Sequence, residues 1–172
     1  MTPIPNIRRV WRTTRLGLPI AFVLFLVVAS VVPLRLPHYA AVAPNWVLAA
    51  MFFFATRRDD LMPGWAAFAL GLLFDILAGG PLGLSALVLL LVREAGSFLA
   101  EPLRGRPFLF DWMCFGFAAL AAQLLGVLLA TALAGALVAL PTVVFQLILT
   151  VLVYPAMVLV LGLFARVVVE GV

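Results

Sequence analysis

The residue whose setting most asks for a chemical explanation is Asp75, in "GLLFDILAGGPLGL", residues 71–84. A carboxylate inside an apolar run serves as a proton or ligand site, or it accepts hydrogen bonds from backbone left unpaired. Gly79, Gly80, Pro81 and Gly83 follow it and break the helix. Where water is scarce, the N–H groups freed by such a break need acceptors. Asp75 lies about four residues before Gly79, so it sits ~6 Å from the end of its helix rather than at mid-span. The expected role is therefore structural: Asp75 ties the broken backbone together.

Arg93 and Glu94 are the other charges inside an apolar segment. Each costs about 2.5–3.5 kcal/mol at the centre of a bilayer. By helical rise Asp75 and Arg93 differ in depth by roughly 10 Å, which argues against a direct pair. Adjacent residues on a helix point to different faces, so Arg93 and Glu94 are not expected to pair with each other either. Snorkelling, or contact with a neighbouring helix or partner protein, is the expected outcome.

Nothing else assembles into chemistry. One histidine (His38) and one cysteine (Cys114) exclude an internal disulfide and argue against a zinc or iron–sulfur site. Arg57, Arg58, Asp59 and Asp60 read as a solvated loop with headgroup contacts. No Ser–His–Asp set, HExxH, P-loop or carboxylate pair is present. No catalytic residue, metal ligand or cofactor is assigned.

The elements that position these residues follow from composition. Of 172 residues, 66% are hydrophobic and 10% charged, and the mean hydropathy is +1.26. Soluble domains carry about 25% charged residues, so this chain cannot present a wetted surface. An integral membrane protein with several spans is expected. The net charge is +4, and all eleven basic residues are arginine. They occur in short clusters between apolar runs, which is the pattern of membrane-protein loops and not of a nucleic-acid face.

Breakers divide the chain into six spans, about 16–34, 40–56, 63–78, 82–100, 113–139 and 142–164. The first resembles a signal peptide, with "AVA" at 41–43 imitating a cleavage site. Its 19 apolar residues are long enough to span, and an uncleaved helix is the favoured reading. The second reaches back to Ala40, across Pro44. Phe108 to Trp112 are read as interfacial, with Asp111 at headgroup level. Pro141 marks a turn, and Pro155 is expected to kink the last span. Nine arginines (8, 9, 12, 15, 57, 58, 104, 106 and 166) then fall on one side, against Arg35 on the other. That asymmetry predicts cytoplasmic termini. Ala118, Ala122, Gly126, Ala130 and Ala134 form a stripe that would let another helix approach closely.

"APNWVLAAMFF", then "GWAAFALGLLFDILAGGPLGLSAL", then "VLVYP" resemble, in that order, the rod-shape-determining MreD family. The likeness rests on Pro44, Asn45 and Trp46 opening a short second helix, on Gly71 and Asp75, on the Pro81–Gly83 step, and on Pro155. Arg93–Glu94 and the alanine-rich fifth helix depart from the family pattern. The resemblance implies a non-enzymatic, multi-pass protein of the bacterial inner membrane, a scaffold of the elongation machinery that organises peptidoglycan synthesis and cell shape. It implies MreC as partner, and through MreC the actin-like MreB and the peptidoglycan polymerase and transpeptidase, besides membrane lipids. It also implies an all-α, six-helix transmembrane bundle similar to the substrate-binding subunits of energy-coupling-factor transporters. An alternative stays open: a small-solute-binding transporter subunit, motivated by Asp75 beside a helix break and by Gln123, Thr131, Thr142 and Gln146 in the last two spans.

Overall fold

A computed structural model describes residues 5–31, 43–134 and 140–170. Among these residues there are six α-helices and no strand: α1 (Pro5–Val31), α2 (Trp46–Arg57), α3 (Gly64–Ala78), α4 (Leu84–Leu103), α5 (Phe108–Ala134) and α6 (Leu140–Glu170). A single 3-10 turn, Asp59–Leu61, joins α2 to α3.

α2 is apolar on every face, the pattern of a helix with no exposed side. Val47 through Thr56 are all buried, and α2 packs against α1, α4, α5 and α6. Around it lies the core, whose largest buried side chains include Phe52, Phe54, Phe115 and Tyr154. α3 packs on both α1 and α4, and α5 lies between α4 and α6. The outer faces carry large apolar side chains instead of charges: Phe98, Phe117, Leu128 and Leu159 are each at least 66% exposed. α5 and α6 are long and apolar enough to cross a membrane, over Phe108–Ala132 and Leu140–Leu163.

Two glycines permit the closest helix contacts. A Cβ at Gly71 would stand 2.4 Å from Ala86 Cα, and one at Gly96 would stand 2.6 Å from Ala55 Cβ. α3 therefore lies against α4 backbone to backbone, and the Ala55 methyl of α2 seats on the bare backbone of Gly96 in α4.

Several boundaries differ from the sequence expectation. α1 begins at Pro5, not 16: proline suits a first helical turn, and arginine is a good helix former. α2 begins at Trp46, not 40, because the Asn45 side chain caps it, accepting the Leu48 N–H. α4 runs three residues further, to Leu103. α5 starts at Phe108, so residues 108–112 are already helical, five residues before the expected start at 113. Pro141 lies in the first turn of α6, where its missing N–H leaves no bond unmade, so it opens the helix there. The outer loop containing Arg35 and His38 lies outside the described residues.

Candidate functional site

Asp75 builds the turn between α3 and α4. Gly79 closes α3 in the left-handed conformation, φ 69°, and the N–H groups of Gly79 and Gly80 donate to the Asp75 carbonyl. Leu84 N–H donates to Pro81, and Gly83, φ 93°, leads into α4. Across this turn the Asp75 carboxylate accepts the Gly83 N–H at 2.8 Å and the Ser85 N–H at 3.1 Å. These are opening N–H groups of α4, which have no partner within the helix and sit at its positive end. Asp75 thus caps α4 from a neighbouring helix, and it is only 2% exposed. Gly71 lies one turn before Asp75 on the same face of α3. Its close approach to Ala86 brings the carboxylate onto the start of α4.

A second polar line ties α2 to α5 and α6. The Asn45 N–H donates to Thr150 Oγ1 at 3.0 Å, and the Thr150 hydroxyl donates to the Gln146 carbonyl at 2.7 Å. Gln146 Nε2 donates to the Ala43 carbonyl, and its Oε1 accepts from Gln123 Nε2 at 2.9 Å. Pro44 is buried under this line and Trp46 is half-buried at the start of α2. The structure therefore brings Gln123 and Gln146 together. Thr131 instead bonds the Val127 carbonyl of its own helix. A cavity of about 110 Å³ lies beside Asn45, Ser85 and Gln123.

The opposite end holds a cluster that sequence reasoning missed. Asp111, expected at headgroup level, is buried at 8% exposure. Its Oδ2 accepts from Arg57 and from the Tyr154 hydroxyl, each at 3.1 Å. Arg57, expected in a solvated loop, also lies over the Phe53 ring at 5.1 Å, and it stays exposed, as do Arg58, Asp59 and Asp60. The Tyr154 ring stacks on Phe115, with centroids 3.9 Å apart. One signal was available: a tyrosine deep in an apolar run needs a hydrogen-bond partner, and few polar side chains are on offer.

Pro155 stands one residue beyond Tyr154, inside α6. A proline removes the N–H that would bond the carbonyl four residues earlier, which here is Val151. Trp112 Nε1 donates to that carbonyl at 2.8 Å.

Arg93 and Glu94 require a correction: they do pair, at 2.6 Å. The Arg93 side chain is long enough to reach round the helix. Its Nε donates to the Met62 carbonyl in the α2–α3 connection at 3.0 Å, which leaves the other end of the guanidinium facing Glu94. The arginine is held by backbone of a neighbouring connection, and Glu94 remains exposed.

Among the described residues no buried side-chain nitrogen or oxygen lacks a partner, and no three His, Cys, Asp or Glu converge as a metal site requires. The polar groups are engaged in joining helices to one another. No curated protein and no solved structure matches the chain. A family model does, over residues 12–168, and its description is rod shape-determining protein MreD.

Proposed function

Because the chain belongs to the MreD family, we propose that it is a non-enzymatic scaffold of the bacterial inner membrane that binds MreC and, through it, helps organise MreB and the peptidoglycan polymerase and transpeptidase. The six helices would form six spans, with both termini and the arginine-bearing end cytoplasmic and the Asp75 turn periplasmic. The likeness to energy-coupling-factor substrate-binding subunits is carried by the family resemblance alone.

The observation that carries the scaffold reading is an apolar groove between α4 and α5, about 280 Å³, lined by Val88, Leu91, Ala95, Ala118, Ala121 and Leu125 among others. Small residues on α5 leave room for a partner transmembrane helix to lie close. In lipid, association of helices depends on such close contact, because burial from water contributes nothing there. The scaffold would act by holding a partner helix in one orientation.

The test is co-purification with MreC from native membranes, using Ala95→Phe/Ala121→Phe to fill the groove. The filled variant should fold and lose MreC; undiminished MreC recovery would move the contact elsewhere. The transporter alternative finds little support. Small-molecule sites occupy about 300–1,000 Å³, whereas the cavity near the Asp75 turn has about 110 Å³ and the Asp75 carboxylate is already taken by α4.

A further inference from the structure

The arginine-bearing end of the bundle contains a cavity for which the scaffold role has no use. It measures about 330 Å³ and lies between the ends of α2 and α4 and the start of α5. Arg57, Arg104 and Arg106 line it, with Thr56, Phe108 and Asp111. The lining thus carries three arginines and one carboxylate, and that carboxylate is already shared between Arg57 and Tyr154. Positive charge is left in excess.

Two of the three guanidiniums are positioned by contacts that need no ligand. Arg57 is held by Asp111 and by the Phe53 ring. Arg106 lies over the Phe110 ring at 5.0 Å. Arg104 and Gly105 form the tight turn between α4 and α5, with Gly105 at φ 78°. α5 opens at the same place, adding the positive end of a long helix. Arginine presents a planar fork of donors that matches phosphate oxygens in pairs, and every cation here is arginine. Phe108, in the lining, is an exposed apolar side chain, as is its neighbour Leu109, suited to a ligand that also carries acyl chains.

We propose that this cavity binds a phosphate group, presented by the headgroup of an anionic phospholipid or as the free ion. Its volume falls at the lower end of the range for small-ligand sites. Basic pockets between membrane helices are a known means of selecting such headgroups.

The test uses the purified full chain in detergent, with phosphatidylglycerol, phosphatidylcholine or inorganic phosphate added, and reads retention by native mass spectrometry and melting temperature. Phosphatidylglycerol should be retained in preference to phosphatidylcholine. Arg104→Gln/Arg106→Gln should weaken retention roughly tenfold, the loss of about one charge-assisted contact. Arg58→Gln, at an exposed arginine outside the cavity, should leave it unchanged. If inorganic phosphate displaces the lipid and raises the melting temperature of the parent chain but not of the double variant, the ligand is the free ion. Should the glutamine pair fail to fold, Arg104→Lys/Arg106→Lys keeps the charge, loses the forks, and should still lower retention. Equal retention of the two lipids without any phosphate effect, or a loss with Arg58→Gln as large as with the double variant, overturns the proposal. No partner protein is needed, so this result and the MreC result are independent.

Discussion

Trp112 donates its indole N–H to the Val151 carbonyl at 2.8 Å, the carbonyl that Pro155 deprives of its helical partner. α5 thereby repairs a defect in α6, and the two helices are registered by it. Trp112→Phe should cost about 1–3 kcal/mol, the range for a buried polar group left unpaired. Pro155→Ala restores the missing donor, so in that background Trp112→Phe should cost much less. Thermal denaturation of the four proteins gives the coupling directly; purely additive effects would refute the repair.

Asp75 accepts from Gly83 and Ser85 through both carboxylate oxygens. Asp75→Asn keeps one acceptor oxygen and should retain most folded protein. Asp75→Leu leaves the opening N–H groups of α4 bare and should lower the yield of folded protein strongly, by about 1–3 kcal/mol per stranded group. If Asn abolished activity at unchanged melting temperature, a charge-dependent role would replace the capping role.

Gly71 and Gly126 offer a controlled comparison. A methyl at Gly71 meets Ala86 backbone at 2.4 Å, whereas one at Gly126 meets nothing within 4 Å. Gly71→Ala should destabilise by about 1–3 kcal/mol through overpacking, while Gly126→Ala should be neutral or slightly stabilising, as Ala is the better helix former. Comparable melting temperatures for the two would show that α3 and α4 do not depend on this approach.

Asp111 joins α2 to α6 through Arg57 and Tyr154. Asp111→Leu strands the Tyr154 hydroxyl and should destabilise clearly. Asp111→Leu/Tyr154→Phe removes both buried polar groups and should recover much of the loss, since replacing both partners by apolar groups is far cheaper than removing one. Arg57, with its side chain 45% exposed, can turn to water and should contribute little. Melting temperatures along this series would contradict the scheme if the double variant were the least stable.

Sidedness is tested by labelling. In a Cys114→Ala background, Arg58→Cys and Arg104→Cys should react only with reagent supplied from the cytoplasm, and Leu82→Cys, 69% exposed, only from outside. The opposite pattern would invert the orientation drawn from arginine counts.

The helical class, the order of the helices and the break after Asp75 are legible in the amino-acid chain alone. These depend on local rules: apolar run length, proline and glycine punctuation, and the cost of bare backbone where water is scarce. Which polar groups meet is a property of the folded bundle. Arg57 and Asp111 are 54 residues apart, Tyr154 and Asp111 43, Asn45 and Thr150 105. Such pairs depend on the register of one helix against another, which no single segment encodes. The same cause hid these contacts: the Asn45 N–H and the Asp111 carboxylate find their partners on distant helices. It also explains Arg93, which follows the Met62 carbonyl as well as its own helix.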